Sequence, residues 1–114
     1  MEISDEGYRV TYEPITTTIT WQGLFRLQGL EGYASIAELL NTVADQKPEI
    51  ITLDMKGVTF LNSSGVNIIS KFVLRVRNHK TSQLVIQGAS QIPWQNKSLK
   101  SLQRLMPTLK LKFD

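Results

Sequence analysis

The sequence has no cysteine and only one histidine, His79. Without thiols it can form no disulfide, thiolate zinc site or Cys–His catalytic pair. A single histidine likewise excludes a histidine-rich metal centre, and its place beside Lys80 at the end of a helical stretch reads as a solvated terminal residue. No Gly-x-Ser-x-Gly elbow, Walker loop or dinucleotide-type glycine cluster is present. Apolar runs such as Ile50-Ile51 and Ile68-Ile69 are far shorter than the roughly 20 residues that cross a bilayer. The opening residues are acidic where a secretory leader would be basic and then apolar. These absences lead us to expect a soluble, cytoplasmic chain that is not an enzyme and needs no metal or cofactor.

Carboxylates are missing from a long stretch. Residues 1–54 carry nine acids against three bases, a net of −6, whereas residues 55–114 carry ten bases and one acid, Asp114, a net of +9. Such a division creates a field able to steer an acidic partner or a polyanion. It arises equally if the lysines and arginines only solvate two helix faces.

At 114 residues there is room for one domain with one core. Tyr8–Glu13 alternates as a strand that Pro14 ends, so residues 1–14 read as an extra N-terminal strand. Ile15–Trp21 and Leu24–Gln28 are rich in Thr, Ile, Trp and Phe, and Gln22-Gly23 between them reads as a tight turn or bulge, giving a hairpin with Trp21 half-buried. Gly29 and Gly32 then break the extended pattern. Ala34–Gln46 is amphipathic at helical spacing and is stopped by Pro48. Ile50–Asp54 looks like a strand buried on both faces. A link through Gly57 to Leu61 leads to a second helix that ends near Asn78. Ser82–Gln87 is another buried strand. Pro93 opens a third helix running to Met106, with Trp94 on its apolar side and Lys97, Lys100 and Arg104 opposite. Leu109–Phe113 alternates as an edge strand. Strands alternating with helices imply an α/β fold, with a mixed, mostly parallel sheet of about four to six strands and helices packed on it.

Chemistry concentrates in Leu53-Asp54-Met55-Lys56-Gly57-Val58-Thr59-Phe60-Leu61-Asn62-Ser63-Ser64-Gly65-Val66. Asn62 or Ser63 is a good N-cap for the helix that follows, which places Ser64 beside free first-turn amides and the positive end of the helix dipole. The stretch resembles the hallmark of STAS domains, in particular the anti-sigma factor antagonists: a strand ending in Asp, a Gly-Val-Thr-Phe-like link, then Asp-Ser-Ser-Gly opening a helix. The close resemblance covers residues 51 to about 74. Asn62 stands where antagonists usually have Asp, and Gly29-Leu30-Glu31 matches the family's Gly-Glu-Leu-Asp only loosely.

The resemblance implies a partner-switching regulator phosphorylated on Ser64, with Ser63 as the alternative acceptor and Asp54, Asn62, Ser63 and Gly65 shaping the serine loop. It implies a protein partner that is both an anti-sigma factor and a serine kinase of the histidine-kinase-like ATPase fold, and a metal-dependent phosphatase that resets the switch. Asp54 is placed either to orient the loop or to cap nearby amides. On the helical wheel Asn67, Lys71, Leu74 and Arg75 share an open face with Ser64, and we expect the partner there. The rival reading is a module whose basic half binds a nucleotide or other polyanion, with Ser64 only a helix cap. Protein is expected as partner rather than nucleic acid or membrane.

Overall fold

Strand pairing follows sequence order. In the computed structural model, which describes residues 1–114, six strands form one sheet in the order β1 (Glu2–Asp5), β2 (Tyr8–Glu13), β3 (Thr18–Phe25), β4 (Ile50–Leu61), β5 (Gln83–Gly88) and β6 (Lys110–Phe113). β1, β2 and β3 are antiparallel, and β3 to β6 are parallel. The connections carry α1 (Gly29–Gly32), α2 (Ala34–Asp45), α3 (Ser63–His79) and α4 (Pro93–Leu102). Right-handed crossovers that always step to the next strand bring their helices to the same side of the sheet. This is the α/β fold that the alternation predicts.

The core lies between that side and the helices. Ile19, Trp21 and Phe25 of β3, Ile51, Leu53 and Met55 of β4, and Leu84 and Ile86 of β5 are buried there against Leu40 and Val43 of α2 and Ile69, Phe72 and Val76 of α3. The other face is polar and uncovered, with Thr18, Thr20, Thr52 and Asp54 half-exposed and Ile50 half in solvent. β4 is therefore buried on one face, not two, and its residues 50–55 alternate accordingly.

Gln22-Gly23 is no hairpin turn. Thr18–Phe25 runs through as one strand whose pairing with β4 slips on either side of Gly23. Gly23 has φ 102°, and a Cβ there would meet the Gly7 carbonyl at 2.1 Å, so only glycine fits this bulge. The actual turns lie at Glu6-Gly7 and at Pro14–Thr17. Residues 1–14 supply two strands rather than one, because the short β1 adds to the edge of β2. Trp21 is wholly buried rather than half-buried, packs tilted against Phe25 with ring centroids 4.9 Å apart, and leaves its indole N–H without a partner. The third helix ends at Leu102, before a series of turns.

β4 outruns β5, whose pairing with it ends at Asp54–Gln87. Gln95 of α4 fills the gap, and it is the one polar side chain buried with the core. Its amide donates to the carbonyls of Met55 and Val58, both at 2.8 Å, and its oxygen accepts from the Ala89 N–H at 2.7 Å. Trp94 beside it is half-buried and donates its indole N–H to the Thr59 carbonyl at 3.1 Å.

Candidate functional site

The site is the junction where β4 ends and α3 begins. Asn62 is extended, φ −77° and ψ 173°, and caps the helix. Its side-chain oxygen accepts from the Gly65 N–H at 3.0 Å and from the Tyr33 hydroxyl at 2.7 Å, while its amide donates to the Leu27 carbonyl at 2.7 Å. Burial pushes the Tyr33 hydroxyl up to about 12, so it stays protonated and able to donate. The Leu27 bond requires an amide at this position, because a carboxylate can accept but cannot donate.

Gly65 is the next fixed point. It is buried, and a Cβ would meet Leu61 Cδ1 at 2.3 Å and the Tyr33 hydroxyl at 2.8 Å. The glycine after the two serines therefore lets α3 approach Tyr33 closely enough for the shared cap to form. Ser63 and Ser64 occupy the first turn, where backbone N–H groups have no intrahelical acceptor, and no acidic residue shares that turn. Ser63 is exposed. Ser64 is half-exposed, and its Oγ accepts from the Gly29 N–H at 3.2 Å. Gly29, at φ +59°, opens α1, whose Leu30 is 61% exposed. The serine thus joins α3 to the segment that leaves β3.

The other predicted residues fall in three places. Asn67 and Lys71 are exposed on α3, as expected. Leu74 is half-buried rather than open. Arg75 is not a free rim charge: it forms a two-pronged ion pair with Asp45 of α2, at 2.8 and 2.7 Å. His79 is not merely solvated, since its Nε2 lies 2.8 Å from the same carboxylate. Helical spacing gave both residues the right height on α3 but could not reveal an acid 30 or more residues away. Asp54 lies on the uncovered sheet face, where it accepts from the Lys56 N–H at 3.0 Å and pairs loosely with the Lys56 ammonium. Six residues of strand separate it from Leu61, so it does not belong to the serine loop.

The Asp45 cluster has a pH signature. The Arg75 guanidinium, and then His79, hold the Asp45 carboxyl well below the usual carboxylate range. A carboxyl depressed in the folded chain stabilises it above its unfolded value, and that contribution fades as pH falls toward the folded value. We expect the melting-temperature gap between wild type and Asp45→Asn to be widest near neutral pH. It should shrink below about pH 4, where the unfolded carboxyl takes up its proton. A gap unchanged from neutral to acid pH would show that the charge of Asp45 does not contribute to the fold's stability.

The model for the STAS domain matches residues 32–108, a span that contains Tyr33 and the Asn62–Gly65 segment of this junction. The chain belongs to the STAS domain family. No curated protein matches it significantly in sequence. Likeness to solved structures extends over the N-terminal strands as well. A chain in the crystal structure of the diguanylate cyclase SiaD with its activator SiaC, from Pseudomonas aeruginosa, superposes with TM-score 0.76 at 10% identity, covering 100% of this chain and 99% of that one. SiaC of Pseudomonas aeruginosa gives TM-score 0.70 at 10% identity, with 99% and 93% covered. An anti-sigma factor antagonist from Mycobacterium paratuberculosis gives 0.62 at 14% identity, with 96% and 82% covered. At such identities the likeness is one of fold. No helix of this STAS chain is long and apolar enough to cross a membrane.

Proposed function

We propose that the chain is a non-catalytic, cytoplasmic partner-switching regulator that binds a protein when unmodified and releases it when Ser64 is phosphorylated. The observation that carries this reading is the position of the Ser64 hydroxyl, in the first turn of a 17-residue helix and bonded to the Gly29 N–H. A phosphate there adds about −1.5 to −2 charges beside free amides and a helix dipole, which favour it by about 0.3–1 kcal/mol. The fold tolerates the modification while the surface changes sign. The phosphate must also displace or take over the Gly29 contact, and Gly29 leads directly to the exposed Leu30. The partner surface we favour therefore centres on Ser64, Leu30, Asn67 and Lys71, with Leu74 at its margin and Arg75 outside it.

By family resemblance, the kinase is a serine kinase of the histidine-kinase-like ATPase fold, itself an anti-sigma factor or a related ATPase. A metal-dependent phosphatase restores the free hydroxyl, and ATP and its metal belong to those partners. SiaC is described as the activator of a diguanylate cyclase, which supports a second-messenger enzyme as one output beside a sigma factor. Incubation with the cognate kinase and ATP, followed by mass spectrometry, should place one phosphate on Ser64, and Ser64→Asp should weaken partner binding with little change in melting temperature. Phosphate confined to Ser63, or undiminished labelling of Ser64→Ala, would overturn the assignment.

One observation favours a second reading. Lys97 and Lys100 of α4 and Arg104 just beyond it line a surface depression, and none of them makes an ion pair. A polyanion bound there would show affinity falling steeply with salt and unaffected by Ser64→Asp.

A further inference from the structure

The helices leave one whole face of the sheet uncovered, and one row of residues across that face runs from acid to base. An unbroken register row crosses it from edge to edge: Glu2, Thr11, Thr20, Asp54, Gln87 and Lys112. The acid-rich half of the chain ends this row in Glu2, and the base-rich half ends it in Lys112. Nearer the carboxyl ends of the strands, Leu24 and Phe60 are neighbours across β3 and β4 on the same face, 38% and 41% exposed. The Arg26 guanidinium lies 5.4 Å over the Phe60 ring. Ile50, half exposed, opens β4 on this face too. Three of the six exposed large apolar side chains of the chain therefore lie here.

We propose that this face is a dimerisation surface whose occupant is a second copy of the same chain. The inference is independent of the Ser64 switch. With six strands in sequence order, a two-fold axis along the strands between β3 and β4 lays β1 over β6, β2 over β5 and β3 over β4 of the other copy. Glu2 then meets Lys112 of the second copy, Thr20 meets Asp54, and Leu24 meets Phe60. Each contact occurs twice, as an isologous interface requires. An acid-to-base row is complementary to itself only under this rotation. A polyanion would meet Glu2, Glu13 and Asp54 interspersed with Arg9, Lys56, Lys110 and Lys112, two of those acids being already paired with Arg9 and Lys56. Sheets packed this way keep their strands within about 30° and lie about 10 Å apart. Six strands about 4.8 Å apart, each giving about five residues at roughly 3.3 Å, offer on the order of 500 Å² per copy. That is the low end for a specific interface and implies a weak dimer, dissociating in the micromolar range or above.

Sedimentation velocity from about 1 µM to about 1 mM brackets that range, and we expect the mass to rise from monomer to dimer across it. Lys112→Glu should weaken the dimer about tenfold, because two symmetry-related contacts become like-charged. Adding Glu2→Lys to the same chain should restore it. Phe60→Asp, at an exposed position, should remove the dimer while the circular dichroism spectrum and melting temperature confirm the fold. A chain that stays monomeric throughout would overturn the proposal. So would a dimer indifferent to both Lys112→Glu and Phe60→Asp, or one that the charge swap fails to restore.

Discussion

Gln95→Leu is expected to destabilise the fold by about 3–5 kcal/mol, although leucine has nearly the same volume and is more apolar. The loss comes from three backbone groups, the carbonyls of Met55 and Val58 and the N–H of Ala89, that have Gln95 as partner. Leaving a buried polar group unsatisfied costs about 1–3 kcal/mol, and the apolar gain from leucine offsets only part of three such losses. For a chain of this length that loss lowers the melting temperature by roughly 10–20 °C. Urea and thermal unfolding would measure it directly. A loss below about 1 kcal/mol would mean that water replaces the amide, and that α4 is not what completes the overhanging strand.

Asn62→Asp is expected to destabilise by about 1–2 kcal/mol even though it restores the residue usual in antagonists. A carboxylate at the helix start gains about 0.3–1 kcal/mol from the dipole. Against this it loses the donation to the Leu27 carbonyl and sets two oxygens face to face in a partly buried site, which costs about 1–3 kcal/mol. Cap acceptance from Gly65 and Tyr33 survives, so the loss should be smaller than for Asn62→Ala, which removes all three bonds. Denaturant midpoints of the two variants would rank them. Asn62→Asp more stable than wild type would show that the Leu27 bond contributes nothing. Phosphoacceptor activity at Ser64 should persist in Asn62→Asp, since the hydroxyl and its Gly29 contact are untouched.

Local pattern carried the sequence reading where a segment's neighbours are its own. The amphipathic helices, a cap at Asn62 or Ser63, Ser64 in the first turn of α3 and Pro93 at the start of α4 are all recoverable from spacing and propensity. What was missed involves partners distant in sequence. Tyr33 reaches Asn62 across 29 residues, Gln95 reaches Met55 across 40, and Asp45 reaches Arg75 across 30. No periodicity encodes such pairs. Tyr33 sits at a helix boundary and Gln95 one position from the tryptophan that drew attention, so neither stands out by type. Adjacency in the motif places Asp54 at the serine loop, whereas an extended strand carries residues apart. Thr18–Phe25 was split because a Gln-Gly pair has the composition of a turn whether the chain reverses there or only bulges.

The strictly sequential strand order bears on how the chain is made. No strand has to insert between two already paired, so each pairing after the first adds to an edge that already exists. Each crossover joins neighbouring strands, so the segments to be closed are shorter than an interleaved order of the same strands would require. During synthesis at about 5–20 residues per second, the sheet can grow from one side as the chain emerges. The last strand, β6, then closes the series with Lys110 and Lys112, charges of the kind that discourage a further strand from adding to an open edge.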